Sequence, residues 1–180
     1  MISGAGPEVP RTDPRTFPMY TKFCAGLSRL SLGLAIACLL AVILCVQWQV
    51  FGRYLLNDTP TWAENLALLL VLFVTAFGLA VGVRDAGHIG LESMVALLPT
   101  VWQHRIEMLI HALVAVFGAL MCHSGWQWAS AKWGEKKPML PVPDGIDYVP
   151  LVIAGALIVL FSIEHLVALW RGTEVTPAWE

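Results

Sequence analysis

Histidine is the residue type in this chain best suited to cofactor chemistry, because imidazole can ligate haem iron. His111 and His165 each fall near the same end of a long apolar segment, so two facing helices could clamp one iron between them. His123 lies twelve residues beyond His111, about 18 Å further along a helix axis, with no histidine at matching depth. A haem b-binding anchor of an electron-transfer complex is therefore the alternative function, and hydrogen bonding at the interface or between helices is the competing role for these rings.

Two opposite charges flank the turn between the first two apolar segments. Arg53 lies four residues before Asn57, and Glu64 lies four residues after Pro60. In an antiparallel hairpin the two side chains reach similar depth, so we predict an Arg53–Glu64 ion pair at the outer interface. The alternative is separate hydration, because exposed pairs contribute less than about 1 kcal/mol.

The turn itself has two alternative helix starts. Asn57 to Pro60 ends one helix and begins the next, and proline suits the first helical position. Thr61 and Glu64 also fit a capping box. In both cases Glu64 lies in a first turn, where the helix dipole favours an anion.

These residues are carried by long uncharged segments. The chain has 180 residues, of which 57% are hydrophobic and 13% charged, and its mean hydropathy is +0.69. Since a membrane-spanning helix needs about 20 apolar residues, we predict an all-α integral membrane protein with four transmembrane helices. The four windows are Leu30–Gly52, Asn65–Val83, Met108–Ala131 and Tyr148–Ile163, the last extending to Trp170.

The positions of the charges exclude several functions. A solute or proton site normally shows an ionisable residue deep in a span, and the first two windows hold none in their central turns. Glu164 lies beside the inner boundary, so we predict that it pairs with His165, Arg171 or another chain.

The net charge of −2 and the lack of a long basic run exclude nucleic acid as a partner. The four cysteines have no C-x-x-C spacing, so neither a disulfide framework nor a zinc site is indicated.

The membrane domain is predicted over residues 20–172, between a proline-rich disordered tail at 1–19 and a second tail at 173–180. Seven Lys and Arg residues fall on one side of the four spans and four on the other, so the positive-inside rule places both termini in the cytoplasm. The seven are Arg11, Arg15, Lys22, Arg29, Arg84, Arg105 and Arg171, and the four are Arg53, Lys132, Lys136 and Lys137.

Two connections have patterns of their own. From Ile89, apolar residues at Leu91, Met94, Val95 and Leu98 predict a short amphipathic helix in the membrane plane between helices two and three. The alternative is that this stretch begins helix three, with a kink at Pro99. Prolines and an Asp-Gly pair make the Lys132–Asp147 connection irregular and external, as either a docking surface or a linker.

Small residues at four-residue spacing allow close approach of helices. Gly33, Ala37 and Ala41 form one such strip and Gly78 and Gly82 another. Spacing alone leaves open whether the neighbouring helix belongs to this chain or to another subunit.

The stretch from Gln49 to Pro99 resembles the small membrane subunit (DctQ type) of tripartite ATP-independent periplasmic, or TRAP, transporters. The resemblance is carried by the run from Gln49 to Asn57 and by a set of single residues, with Asn65 as a departure where the family often has a second acidic residue. The set is Pro60, Trp62, Glu64, Leu66, Gly78, Ala80, Arg84, Gly87, His88, Ile89 and Pro99.

This resemblance implies a multi-pass protein of the bacterial inner membrane that is not an enzyme and holds no cofactor or metal. It implies a scaffold role beside a large membrane subunit that carries the substrate and sodium sites, with an extracytoplasmic binding protein delivering small solutes, often organic acids. The residues assigned a structural or subunit-contact role, and no catalytic one, are Arg53, Trp62, Glu64, Gly78, Gly82, Arg84 and His88.

Overall fold

The computed structural model describes residues 18–57, 60–86, 100–137 and 140–170. All four long helices are apolar enough to cross a membrane, which confirms the predicted all-α, four-span fold. The predicted interfacial helix, His88, most of the first predicted tail and all of the second lie outside the described residues. The elements are α1 (Pro18–Leu55), α2 (Thr61–Val81) with a π-helical turn (Gly82–Ala86), α3 (Thr100–Ala131), a 3-10 turn (Asp144–Tyr148) and α4 (Val149–Trp170).

The helices pack side by side in the order α1, α2, α4, α3, with a lighter contact between α1 and α4. They run antiparallel in chain order, because Ser28 near the start of α1 meets Asp85 beyond the end of α2, and Arg84 meets Glu164 near the end of α4. We call the end that holds these residues the cluster end. The opposite end, with the Leu55–Thr61 turn and the 132–148 connection, is the turn end.

One face of α1 contacts the rest of the bundle. Its buried and half-buried positions recur alternately every four and three residues, which is the seam expected where two helices lie nearly parallel over a long distance. Helix α1 has 38 residues and is about 57 Å long at 1.5 Å per residue, so it exceeds a hydrocarbon core of about 30 Å. The seam residues are Cys24, Ser28, Ser31, Ala35, Cys38, Val42, Cys45, Gln49 and Gly52.

The α1–α2 turn follows from Asn57. Its φ of 51° is left-handed, a conformation that asparagine tolerates and that commonly ends a helix. Helix α2 begins at Thr61, and Pro60 occupies the N-cap position with no side-chain cap. Both predicted starts were therefore wrong: Pro60 lies one position outside the helix, and Thr61 is already helical, so its hydroxyl does not cap. Glu64 does lie in the first turn, as predicted.

Glycines bring α3 and α4 together. A Cβ placed on Gly155 would lie 2.5 Å from the Cys122 backbone nitrogen and 2.6 Å from the Gly118 carbonyl oxygen. A Cβ on Gly125 would meet Val152 at 2.9 Å. Only glycine allows the two backbones to approach this closely.

The described part of the connection from α3 to α4 consists mainly of turns and bends, as predicted, together with the 3-10 turn, and backbone hydrogen bonds cross it. The Lys137 N–H donates to the Val142 carbonyl at 3.0 Å, and the Asp144 N–H donates to the Glu135 carbonyl at 2.8 Å. Lys132 lies 3.0 Å from Glu135, and this hydrogen bond and charge raise the pKa of Lys132. On the alkaline side, the stability that this pair contributes is lost as the pH rises through that raised pKa.

Candidate functional site

The principal polar site is a buried ionic cluster formed by Ser28, Arg84, Asp85 and Glu164 at the cluster end. Arg84 Nε donates to Glu164 Oε2 at 3.0 Å and Nη2 donates to Oε1 at 3.1 Å. The third guanidinium nitrogen, Nη1, lies 2.6 Å from Asp85 Oδ1. One cation therefore joins two carboxylates, one from the π-helical turn after α2 and one from α4.

The cluster is closed to its surroundings. Arg84, Asp85 and Glu164 are 2%, 8% and 3% exposed. The Ser28 hydroxyl donates to Asp85 Oδ2, so each of the four carboxylate oxygens receives a hydrogen bond. The Arg84 guanidinium also lies 6.0 Å from the centroid of the Phe161 ring, within the range of a cation–π contact. The oxygens of these carboxylates are hydrogen-bonded within the chain and are therefore not free to bind a solute.

Neighbouring polar contacts tie α4 to α1 and α2. The carbonyl of Arg84 lies in the last turn of its helix, where carbonyls lack intrahelical partners. His165 Nε2 donates to that carbonyl at 3.0 Å. The Tyr20 hydroxyl donates to the Leu160 carbonyl at 3.1 Å. Together with Ser28, these bonds connect three helices at the cluster end.

His111 and His165 do meet at one depth, as the sequence indicated, but their geometry does not fit haem. The two rings stack with centroids 4.5 Å apart and an interplanar angle of 5°, so a macrocycle cannot lie between them. His165 Nε2 also carries a proton, since a carbonyl oxygen only accepts. Among the residues that the structure describes, no group of three or more His, Cys, Asp and Glu side chains could hold a metal ion.

The Arg53–Glu64 ion pair is absent, although the structure describes both residues. The contact positions at this depth are the buried Gly52 on α1 and Ala63 on α2. Arg53 and Glu64 each follow a contact position by one residue, which rotates them by about 100° away from the helix interface. Both side chains are exposed at the turn end, together with Trp62. The structure therefore agrees with the alternative, in which the two charged side chains are exposed separately.

Glu164 pairs with Arg84, which was not among its predicted partners. Of those partners, His165 bonds to the Arg84 carbonyl and Arg171 lies outside the described residues. The predicted partners were close in sequence or lay on another chain, whereas Arg84 is eighty residues away along the chain. Sequence reasoning also missed Ser28 and Asp85. A usable signal was present, because Ser28 continues the four-and-three spacing of small residues along α1.

The glycines of the predicted strips have no close packing partner among the residues that the structure describes. A Cβ placed on Gly33, Gly78 or Gly82 would have no neighbouring atom within 4 Å. The glycines that do mediate helix packing, Gly118 and Gly155, lie on the other two helices. Of the residues assigned a structural or contact role, Arg84 is buried inside the chain, and the contact roles of the others stay predictions.

A bundle of four apolar helices of membrane-spanning length, with an ionic cluster buried between them, defines a polytopic membrane protein. The sequence model of the family described as "Tripartite ATP-independent periplasmic transporters, DctQ component" matches residues 42–172. The chain belongs to this family. It is therefore a small permease subunit of a TRAP transporter, a multi-pass protein of the bacterial inner membrane and not an enzyme.

Two curated proteins illustrate the relationship. The chain is 27% identical over 138 residues to the sialic acid TRAP transporter small permease protein SiaQ of Vibrio cholerae, covering 75% of this chain and 76% of that protein. It is 22% identical over 135 residues to a putative TRAP transporter small permease protein of Haemophilus influenzae, covering 75% and 84% of the two chains.

Proposed function

We propose that this chain is the scaffold subunit of a sodium-coupled importer of small solutes, with organic acids as the substrate class. Its partners are a large membrane subunit, which holds the substrate and sodium sites, and an extracytoplasmic binding protein. Both termini lie in the cytoplasm, so the turn end faces outward. Arg53, Trp62 and Glu64 are exposed there, where they are available for contacts with the other subunits.

One observation carries this proposal: the charges of the ionic cluster are paired with one another inside the bundle, while many large apolar side chains face outward. The charged members of the ionic cluster are at most 8% exposed. Bulky residues on α1 and α3 are far more exposed, with Leu44 at 70% and Leu113 at 60%. Such a chain offers an apolar surface for packing against other subunits or lipid. Its buried charges do not coordinate a transported solute.

Uptake by reconstituted vesicles tests the scaffold function. Vesicles holding the large subunit with this chain, supplied with binding protein, organic acid and a sodium gradient, should accumulate solute. Omitting this chain should reduce the rate to near background. Vesicles that hold this chain alone should show no accumulation. Equal uptake with and without this chain, at matched amounts of large subunit, would show that the scaffold function is wrong.

A further inference from the structure

The α3–α4 interface contains a buried hydroxyl group that lies outside the ionic cluster. Ser162 on α4 is fully buried, and within the described part of the chain its Oγ makes no hydrogen bond. Burying a hydroxyl group without a partner is costly, so buried polar groups in native proteins are bonded either to the protein or to ordered water. The burial of Ser162 therefore points to a bound partner for its hydroxyl.

Ser162 lies on the side of α4 that faces α3. Ile158, four residues before it, contacts α3, because a Cβ placed on Gly118 would lie 2.8 Å from the Ile158 side chain. His165, three residues after it, stacks on His111 of α3. Positions three and four residues apart lie on one face of a helix, so Ser162 lies between these two contacts and faces α3.

The α3 side of this interface supplies a second polar atom. His111 Nδ1 is shielded from solvent, and an unprotonated imidazole nitrogen accepts a hydrogen bond. One turn further along α3 is Ala115, which adds a methyl group where a larger side chain would fill the interface. A hydroxyl, an imidazole nitrogen and a small neighbour together form the kind of polar site that internal water occupies.

The hydroxyl of a helical serine has one other common partner, the carbonyl four residues earlier in its own helix. Thr75 on α2 makes this bond, with Oγ1 donating to the Val71 carbonyl at 2.9 Å. Ser162 does not make the equivalent bond to the Ile158 carbonyl. Its hydroxyl is therefore available to a molecule in the interface.

We propose that one internal water molecule lies between α3 and α4 and bridges Ser162 to His111. The Ser162 hydroxyl donates to the water oxygen, and the water donates to His111 Nδ1. The hydrogen of the neutral His111 ring then lies on Nε2. The polar contacts described above join α1, α2 and α4, and this water adds a hydrogen-bonded link to α3 at the same end of the bundle.

A structure of the whole transporter, at a resolution that shows ordered water, tests the site directly. The wild-type chain should show one density peak within hydrogen-bond distance of both Ser162 Oγ and His111 Nδ1. Ser162→Ala should lose that peak. The proposal is overturned if other internal waters are visible and this one is not, or if Ser162 Oγ donates to the Ile158 carbonyl.

Thermal unfolding of the full-length chain in detergent supplies a second readout, because the sign of the effect depends on the water. With the water bound, Ser162→Ala removes one of its partners and should lower the unfolding midpoint by about 2–4 °C, the shift for one net hydrogen bond in a chain of this size. An unchanged or raised midpoint would contradict the proposal. Thr75→Ala is the control, because its hydroxyl bonds its own helix, and its midpoint should not fall.

A double-mutant cycle shows whether Ser162 and His111 share the water. His111→Phe keeps a ring that can stack on His165 but removes Nδ1. Either single change breaks the bridge, so the double variant should lower the midpoint by clearly less than the sum of the two single shifts. Additive shifts would show that the two residues are not linked. None of these measurements involves transport, so their failure would leave the scaffold function untouched.

Discussion

Arg84 is the cation on which the ionic cluster depends. Two buried carboxylates face one guanidinium, and the second oxygen of Asp85 is satisfied by Ser28. Removing charged groups from water is costly, and only close pairing with complete hydrogen bonding offsets that cost. Removing a carboxylate and removing the arginine should therefore have different costs. Loss of Glu164 leaves Arg84 paired with Asp85, whereas loss of Arg84 leaves two buried anions together.

This asymmetry predicts the order of stability in a mutant series. Arg84→Met should lower the free energy of unfolding by about 3–5 kcal/mol, the range for an uncompensated buried charge. Glu164→Gln should cost less, about 1–3 kcal/mol, because hydrogen bonding is impaired but the remaining pair is neutral. The double variant Arg84→Met with Glu164→Met should be more stable than Arg84→Met alone. Denaturant titration in detergent micelles measures all three.

The exposed pair Lys132–Glu135 supplies the control for that series. Glu135→Gln should leave the unfolding free energy unchanged, because Glu135 is solvated. Equal costs for Arg84→Met and Glu164→Gln would contradict the proposed role of Arg84 as the shared cation.

At the scale of the helices, two hairpins are assembled by different means. Helices α1 and α2 meet along a seam of small and half-buried residues, while α3 and α4 approach through glycine. A methyl group on Gly155 would meet the backbone atoms of Cys122 and Gly118, so side-chain movement cannot make room for it. Exposed glycines on α1 and α2 have no such constraint.

Gly155→Ala and Gly33→Ala therefore form a matched pair. Gly155→Ala should destabilise the chain by about 1–3 kcal/mol, the usual cost of overpacking. Gly33→Ala should be neutral or slightly stabilising, because alanine favours the helix. Thermal unfolding of the isolated chain in detergent compares them. A larger loss for Gly33→Ala than for Gly155→Ala would show that the α3–α4 contact is not the tight one.

At the scale of the whole molecule, the polar contacts that join α1, α2 and α4 lie at one end. The ionic cluster, the His165–Arg84 bond and the Tyr20–Leu160 bond all lie at the cluster end. The turn end has the exposed charges Arg53 and Glu64 and the part-buried Lys137–Asp147 ion pair of the α3–α4 connection. In the proposed topology the two ends face different compartments, and the distribution of Lys and Arg predicts that the cluster end faces the cytoplasm.

Thiol labelling tests that orientation. Lys136→Cys places a thiol on the exposed part of the α3–α4 connection, so a membrane-impermeant maleimide added outside should label it in cells with a permeabilised outer membrane. Lys22→Cys, exposed near the start of α1, should react only after the inner membrane is opened. The wild-type chain, whose four cysteines are buried or half-buried, gives the background. The reverse pattern would invert the topology.

The sequence by itself determined the four spans, the all-α class and the absence of charge from the middle of α1 and α2. These are properties of consecutive residues, since a bilayer requires long uncharged helices and the periodicity of each is local. The turn at Asn57 and the first-turn position of Glu64 are local as well. The family resemblance over Gln49–Pro99 likewise came from adjacent residues.

Only the tertiary structure decided which residues meet. Arg84 and Glu164 are joined because α2 and α4 are neighbours, and Arg53 and Glu64 are separated because Gly52 and Ala63 occupy the contact line between their helices. The sequence did not distinguish Gly118 and Gly155, which pack between helices, from the exposed glycines Gly33 and Gly78. Such pairings depend on the rotation of each helix about its axis, and that rotation is set by the packing of the whole bundle and not by any one segment.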